Sequence, residues 1–145
     1  MPGLRDEIGD MTPKLEKLIH TLEWVRIEVI LDIGGGSELA AIITQESMAE
    51  LGLKVGEEAY ALIKAPWVIV TTDNKLRTSA RNQLCGKVTH CQAGAVNAEV
   101  VIEIPGGRSI AAIITKESIE SLGLKVGASA CAHIKSSHII LAVET

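Results

Sequence analysis

Phenylalanine is missing from this chain of 145 residues, and aromatic side chains of all kinds make up only 2% of it. A site built on aromatic stacking has little to draw on. The hydrophobic 47% must build its core from Val, Ile, Leu and Ala, which favours a compact β structure. Excess positive charge is missing too: the formal net charge is −4 and the pI about 5.6. A non-specific nucleic-acid binder needs clustered Lys and Arg, and an OB-type nucleic-acid module needs stacking aromatics as well. Both readings fail here, and no nucleic-acid partner is expected. A small dianion stays open, because local donors at a shielded site outweigh a weak global charge. No apolar run approaches the roughly 18 residues of a spanning helix, so no membrane segment is expected. The opening MPGLRDEIGD is polar and acidic and lacks the basic-then-apolar order of a signal peptide, so a cytoplasmic location is expected.

Catalytic signals are equally thin. No acid and base recur together, and no G-x-S-x-G elbow occurs, so an enzyme is not expected. His90 and Cys91 are strand neighbours and point to opposite faces. Cys85, Cys91 and Cys131 are odd in number in a chain without a secretion signal, and they read as small buried hydrophobes rather than disulfides. Cys131, His133 and His138, with His90 and Cys91, resemble a soft-metal set only loosely, and no direct cation site is expected.

What the chain does have is repetition. IITQESMAELGLKVG over residues 42–56 returns as IITKESIESLGLKVG over 113–127, an offset of 113 − 42 = 71. Outside this block Glu28-Val29 answers Glu99-Val100, Gly35-Gly36 answers Gly106-Gly107, and Ile63-Lys64 answers Ile134-Lys135. Units of about 70 residues are small for independent cores, so close pairing and oligomerisation are expected. The duplicated polar residues are Thr44, Ser47 and Lys64, then Thr115, Ser118 and Lys135, without a repeated His or Cys. Hydroxyls and a cation suit an anion, which offers only acceptors.

VRIEVILD over 25–32 alternates as a half-buried strand does, Gly34-Gly35-Gly36-Ser37 turns it, and 39–44 returns as the second arm of a hairpin. Thr44 caps a short helix, and Gly52 ends it. A strand over 58–71, interrupted at Pro66, follows. The second unit repeats this order, with a continuous strand over 128–143, and adds a front strand over 78–92. Five strands and a helical turn make a small OB-like barrel. Stepping back 71 residues from that front strand finds nothing similar. Instead TPKLEKLIHTLEW over 12–24 spaces Leu15, Leu18, Ile19 and Leu22 as a helix would, behind a Thr cap and Pro. The expected division is an atypical helical segment over 1–26, a first unit over 27–74 without the front strand, and a complete second unit over 75–145.

SARNQLCGKV over 79–88, GAVNA over 94–98, TKESIESLGLKVG and KAPW over 64–67 together resemble the Mop, or molbindin, family of molybdate-binding modules, which are TOBE-like. The resemblance runs from about Arg26 to Thr145. It implies tandem OB-like barrels, homo-oligomers (trimers of tandem chains), and oxyanion sites between subunits. Carried over residue by residue, it makes Ser79, Ala80, Arg81 and Asn82 of S-A-R-N ligands of molybdate or tungstate. It adds Thr44 and Ser47, Thr115 and Ser118, and the pairs Lys64-Ala65 and Lys135-Ser136, with Ala65 and Ser136 acting through backbone N–H groups. The implied role is oxyanion storage or homeostasis, with no cofactor. The alternative is a detached sensor or oligomerisation domain of a molybdate-responsive regulator. Each residue also has a plain structural reading: Thr as helix caps, Lys as solvated strand residues, Arg81 paired with a surface carboxylate.

Overall fold

The computed structural model describes residues 14–20 and 26–144. The first unit runs β1 (Lys14–His20), β2 (Arg26–Gly34), β3 (Ser37–Thr44), α1 (Gln45–Leu51), β4 (Tyr60–Ile63), a 3-10 turn at Ala65–Trp67 and β5 (Ile69–Thr71). The second repeats it as β6 (Asn82–Ala93), β7 (Asn97–Glu103), β8 (Ser109–Thr115), α2 (Lys116–Leu122), β9 (Ser129–Ile134), a 3-10 turn at Ser136–His138 and β10 (Ile139–Ala142). The chain is mainly β, two OB-like units in tandem.

The last strand of each unit is exchanged. β10 pairs antiparallel with β4 of the first unit, and β5 pairs antiparallel with β9 of the second. The pairings are equivalent, since Ile140 opposite Leu62 matches Ile69 opposite His133 at the 71-residue offset. A single core results. Ile27, Val29, Leu31 and Ile33 from β2 join Ala98, Val100 and Ile102 of β7 and Ile104 just after it, all buried. Alternation on each strand turns this row inward, as the VRIEVILD pattern predicts. Aliphatic side chains fill the core as the missing phenylalanine requires, and among the described residues Tyr60 is the one Phe, Tyr or Trp in it.

Three expectations are corrected. Lys14–His20 forms a strand rather than the N-terminal helix, pairing with β2 from Lys14 opposite Asp32 to His20 opposite Ile27. A bulge between Leu15 and Lys17 sets Leu15 opposite Leu31 and Leu18 opposite Val29, both buried partners. A bulged strand therefore gives the same three-residue apolar spacing as a helix. β6 pairs with β7 in the same way, from Lys87 opposite Glu103 to Ala93 opposite Ala98, with the bulge between Val88 and His90. β1 is thus the counterpart of the second half of β6, at an offset of 87 − 14 = 73. The connection to the next strand explains the two extra residues: 21–25 follow β1 where 94–96 follow β6. The remainder of the predicted helix, with Thr12, Pro13 and Leu22, lies outside the described residues.

The second correction is that the strand over 128–143 is broken at Ser136–His138, although no proline stands there. The 3-10 turn is needed in both units to send the next strand across to its neighbour. The third concerns cysteine. Cys85 and Cys131 stand directly opposite each other on β6 and β9 and form a disulfide, with Cα atoms 3.9 Å apart, while Cys91 is free. Sequence spacing cannot show that β6 and β9 are neighbours.

The two hairpin turns also meet. A Cβ on Gly35, whose φ is +62°, would lie 2.5 Å from the carbonyl of Pro105, and one on Gly106 would lie 2.9 Å from Gly34. Backbone against backbone at this distance admits only glycine. Arg108 adds a bond from its Nε to the Ile33 carbonyl at 2.6 Å.

Candidate oxyanion site

Sheet register assembles the first cluster. The β6–β9 ladder ends at Asn82 opposite Ile134, so the next residues outward are Arg81 and Lys135. S-A-R-N and Lys135-Ser136 are thereby brought side by side. The turn that starts at Ser136 packs against β3 of the first unit, as the turn at Ala65 packs against β8 of the second. Arg81 and Lys135 are exposed and Ser136 is buried. Ser79 is exposed, and the Ala80 N–H donates to Thr78 Oγ1 at 3.2 Å.

Asn82 is set apart from its neighbours. It is 3% exposed, and its Oδ1 accepts from the Ala40 N–H at 2.7 Å. Its Nδ2 donates to the carbonyls of Ala40 at 2.8 Å and Ile134 at 3.1 Å. Its amide thus joins β3 of one unit to β9 of the other.

Arg81 takes the carboxylate partner of the plain structural reading. Its Nη2 donates to Glu28 Oε1 at 3.0 Å, with side-chain exposures of 57% for Arg81 and 18% for Glu28. Glu28 is a site residue that sequence reasoning missed. Its signal was present, because Glu28-Val29 recurs as Glu99-Val100, yet a repeated carboxylate does not suggest an anion site.

The hydroxyl pairs form their own clusters. Thr44 Oγ1 accepts from the Ser47 N–H at 3.0 Å and bonds the Ser47 hydroxyl at 2.8 Å. Thr115 and Ser118 repeat this at 3.1 Å and 2.8 Å. Capping is confirmed in both units, with Gly52 and Gly123 as left-handed helix ends. Each hydroxyl pair is bonded within itself rather than to Arg81. Glu28, the partner of Arg81, stands opposite Ile42 on β3, and Thr44 lies two residues further on, about 7 Å along the strand.

The remaining pair, Lys64-Ala65, borders an open depression shared with Pro66 and with Glu99, Ala111 and Ile113 of the second unit. Lys64 Nζ lies 5.3 Å from the centre of the Trp67 ring. Among the loosely metal-like residues, Cys131 is in the disulfide and His133 is buried, with its Nδ1 3.0 Å from Thr78 Oγ1. Among the described residues no three His, Cys, Asp or Glu side chains group as a metal site.

The TOBE domain profile matches this chain twice, over residues 17–70 and 78–141. The chain belongs to the TOBE domain family. The first TOBE match begins inside β1, which agrees with β1 being part of the first unit, and the second begins one residue before Ser79. The fold resembles the solved structure of the cytoplasmic molybdate-binding protein ModG with molybdate bound, at TM-score 0.85 and 45% identity, over 92% of this chain and 94% of that one. Relatives include the molybdenum transport protein ModE of Azotobacter vinelandii, 44% identical over 82% of this chain and 44% of its own length. The molybdenum-pterin-binding protein MopA of Rhodobacter capsulatus is 42% identical over 85% of this chain and 47% of its own. The chain thus spans less than half the length of these curated relatives.

Proposed function

We propose that this chain binds molybdate or tungstate, without catalysis, and stores or buffers the oxyanion in the cytoplasm. The observation that carries the reading is that Arg81 and Lys135 are the residues next beyond the last β6–β9 pair, Asn82 opposite Ile134, both exposed and in sequence with Ser79 and Ser136. A tetrahedral dianion wants convergent donors and cations, and this corner supplies both. Similarity to ModG and MopA supports the choice of anion. The hydroxyls of Thr44-Ser47 and Thr115-Ser118 bond one another rather than Arg81, which supports sites completed by a second copy of the chain, in a homo-oligomer for which a trimer is the expected form. Binding then couples to assembly, because ligand stabilises only the associated state.

A second reading is a detached sensor domain of a molybdate-responsive regulator, favoured by the ModE match over 44% of that protein's length. Both readings require the anion; they differ in whether the loaded oligomer acts on a partner protein.

Titration calorimetry with molybdate, repeated with sulfate, tests the shared reading. Micromolar or tighter binding of molybdate alone is expected. Absence of heat with either anion overturns it. Light scattering of the same samples, with and without molybdate, reads the assembly.

A further inference from the structure

Glu28 is the feature of this corner that anion binding leaves unexplained. A dianion seeking the Arg81 guanidinium meets a carboxylate already there at 3.0 Å, held on β2 of the other unit and largely shielded by its surroundings. We propose that Glu28 is a resident counter-anion for Arg81, which an incoming oxyanion must displace, and that it thereby sets the affinity of the site. The proposal rests on the reading of Arg81 as an anion ligand given above.

Two observations support it. Glu28 and Arg81 come from different units, so their bond is formed only when β2 of the first unit and the start of β6 are docked, where Asn82 also joins β3 to β9. The carboxylate therefore holds the guanidinium in place between the units and compensates its charge. The second observation is the contrast with the other cleft. Glu99, the repeat counterpart of Glu28, lines the depression with Lys64 and Ala65. At the 73-residue offset the S-A-R-N of 79–82 corresponds in sequence to Asp6-Glu7-Ile8-Gly9, which lie outside the described residues. In sequence, the carboxylate is duplicated and the arginine is not, at that offset.

A carboxylate competing for the same guanidinium lowers affinity for the exchanging anion, and its charge also repels a dianion. An exposed pair of this kind corresponds to roughly a fivefold effect. Glu28→Gln keeps the shape and removes the charge, so molybdate should bind the full chain roughly fivefold more tightly. Glu28→Asp, which keeps the charge on a shorter stem, should fall between the two. In an Arg81→Ala background the Glu28→Gln gain should vanish, because Glu28 acts through Arg81; a purely structural bond between units would not show this dependence. Equal or weaker binding by Glu28→Gln, while Arg81→Ala still weakens it, overturns the counter-anion role and leaves the site reading intact. A gain that persists without Arg81 overturns it also. Unchanged affinity in Arg81→Ala alone overturns the assignment of Arg81, and the proposal with it.

Discussion

Trp67 and His138 occupy the same position in the two repeats and touch each other, with ring centres 4.9 Å apart and planes tilted by 46°. Each sits in the 3-10 turn that carries its unit's last strand across to the other. The contact therefore lies where the exchange of β5 and β10 begins. Tilted aromatic contacts contribute about 0.5–1.5 kcal/mol beyond their area. Trp67→Ala should lower the melting temperature by about 2–6 °C in a differential scan. His138→Ala in that background should add little, because the partner ring is already gone. Fully additive losses would show that the two rings stabilise the fold independently.

Asn82 separates structure from binding more sharply. Removing its amide leaves the Ala40 N–H and the Ala40 and Ile134 carbonyls without their partner in a buried setting. Each unsatisfied group costs about 1–3 kcal/mol. Asn82→Ala should therefore unfold at markedly lower denaturant, by about 3 kcal/mol or more. Asn82→Asp should fare no better, since a carboxylate cannot donate to either carbonyl. A variant as stable as the parent that has lost only molybdate binding would restore Asn82 to the ligand set.

The disulfide gives a redox test. Cys85 and Cys131 are separated by 46 residues, and closing a loop of that size stabilises a fold by about 2–4 kcal/mol. Cys85→Ser should lower the melting temperature by roughly 4–16 °C under oxidising conditions. A strong reductant should bring the parent to the same value and leave the variant unmoved. Alkylation followed by mass spectrometry should find Cys91 modified and Cys85 and Cys131 protected until reduction. Ready modification of all three would remove the cross-strand link.

Much of this architecture was legible because it was written twice. The caps Thr44 and Thr115, the ends Gly52 and Gly123, and the alternation of Ile27, Val29 and Leu31 are local signals, and the structure bears each of them out. The misses are all matters of which strands become neighbours. Leu15 and Leu18 fit a helix or a bulged strand equally well until β2 is known to lie beside them. Cys85 and Cys131 become partners only through the β6–β9 register. The burial of Asn82 between the units, unlike the exposure of Ser79 and Arg81, is not visible in S-A-R-N itself. Glu28 was visible as a repeat match, but nothing short of the 3.0 Å contact joins it to Arg81 across 53 residues.

The two lysines offer the strongest test of unequal clefts. Lys64 and Lys135 are repeat equivalents, each exposed and each followed by a 3-10 turn. Lys135 and Arg81 are the residues next beyond the last β6–β9 pair, whereas Lys64 shares its depression with Glu99 and lies against the Trp67 ring. Two cations with one exchangeable carboxylate, Glu28, attract a dianion more strongly than a cation beside a carboxylate, and a charge-assisted bond contributes about 1.5–3 kcal/mol. Lys135→Ala should therefore weaken molybdate binding by roughly tenfold or more. Lys64→Ala should have a smaller effect on that high-affinity heat. Because Lys64 lies against the Trp67 ring, its removal should change Trp67 fluorescence before any anion is added. Calorimetry and fluorescence on the two variants read these effects separately. Equal losses of affinity would mean that the clefts are equivalent and that the absence of a first S-A-R-N does not matter. A larger loss in Lys64→Ala would move the main site to the first unit's turn.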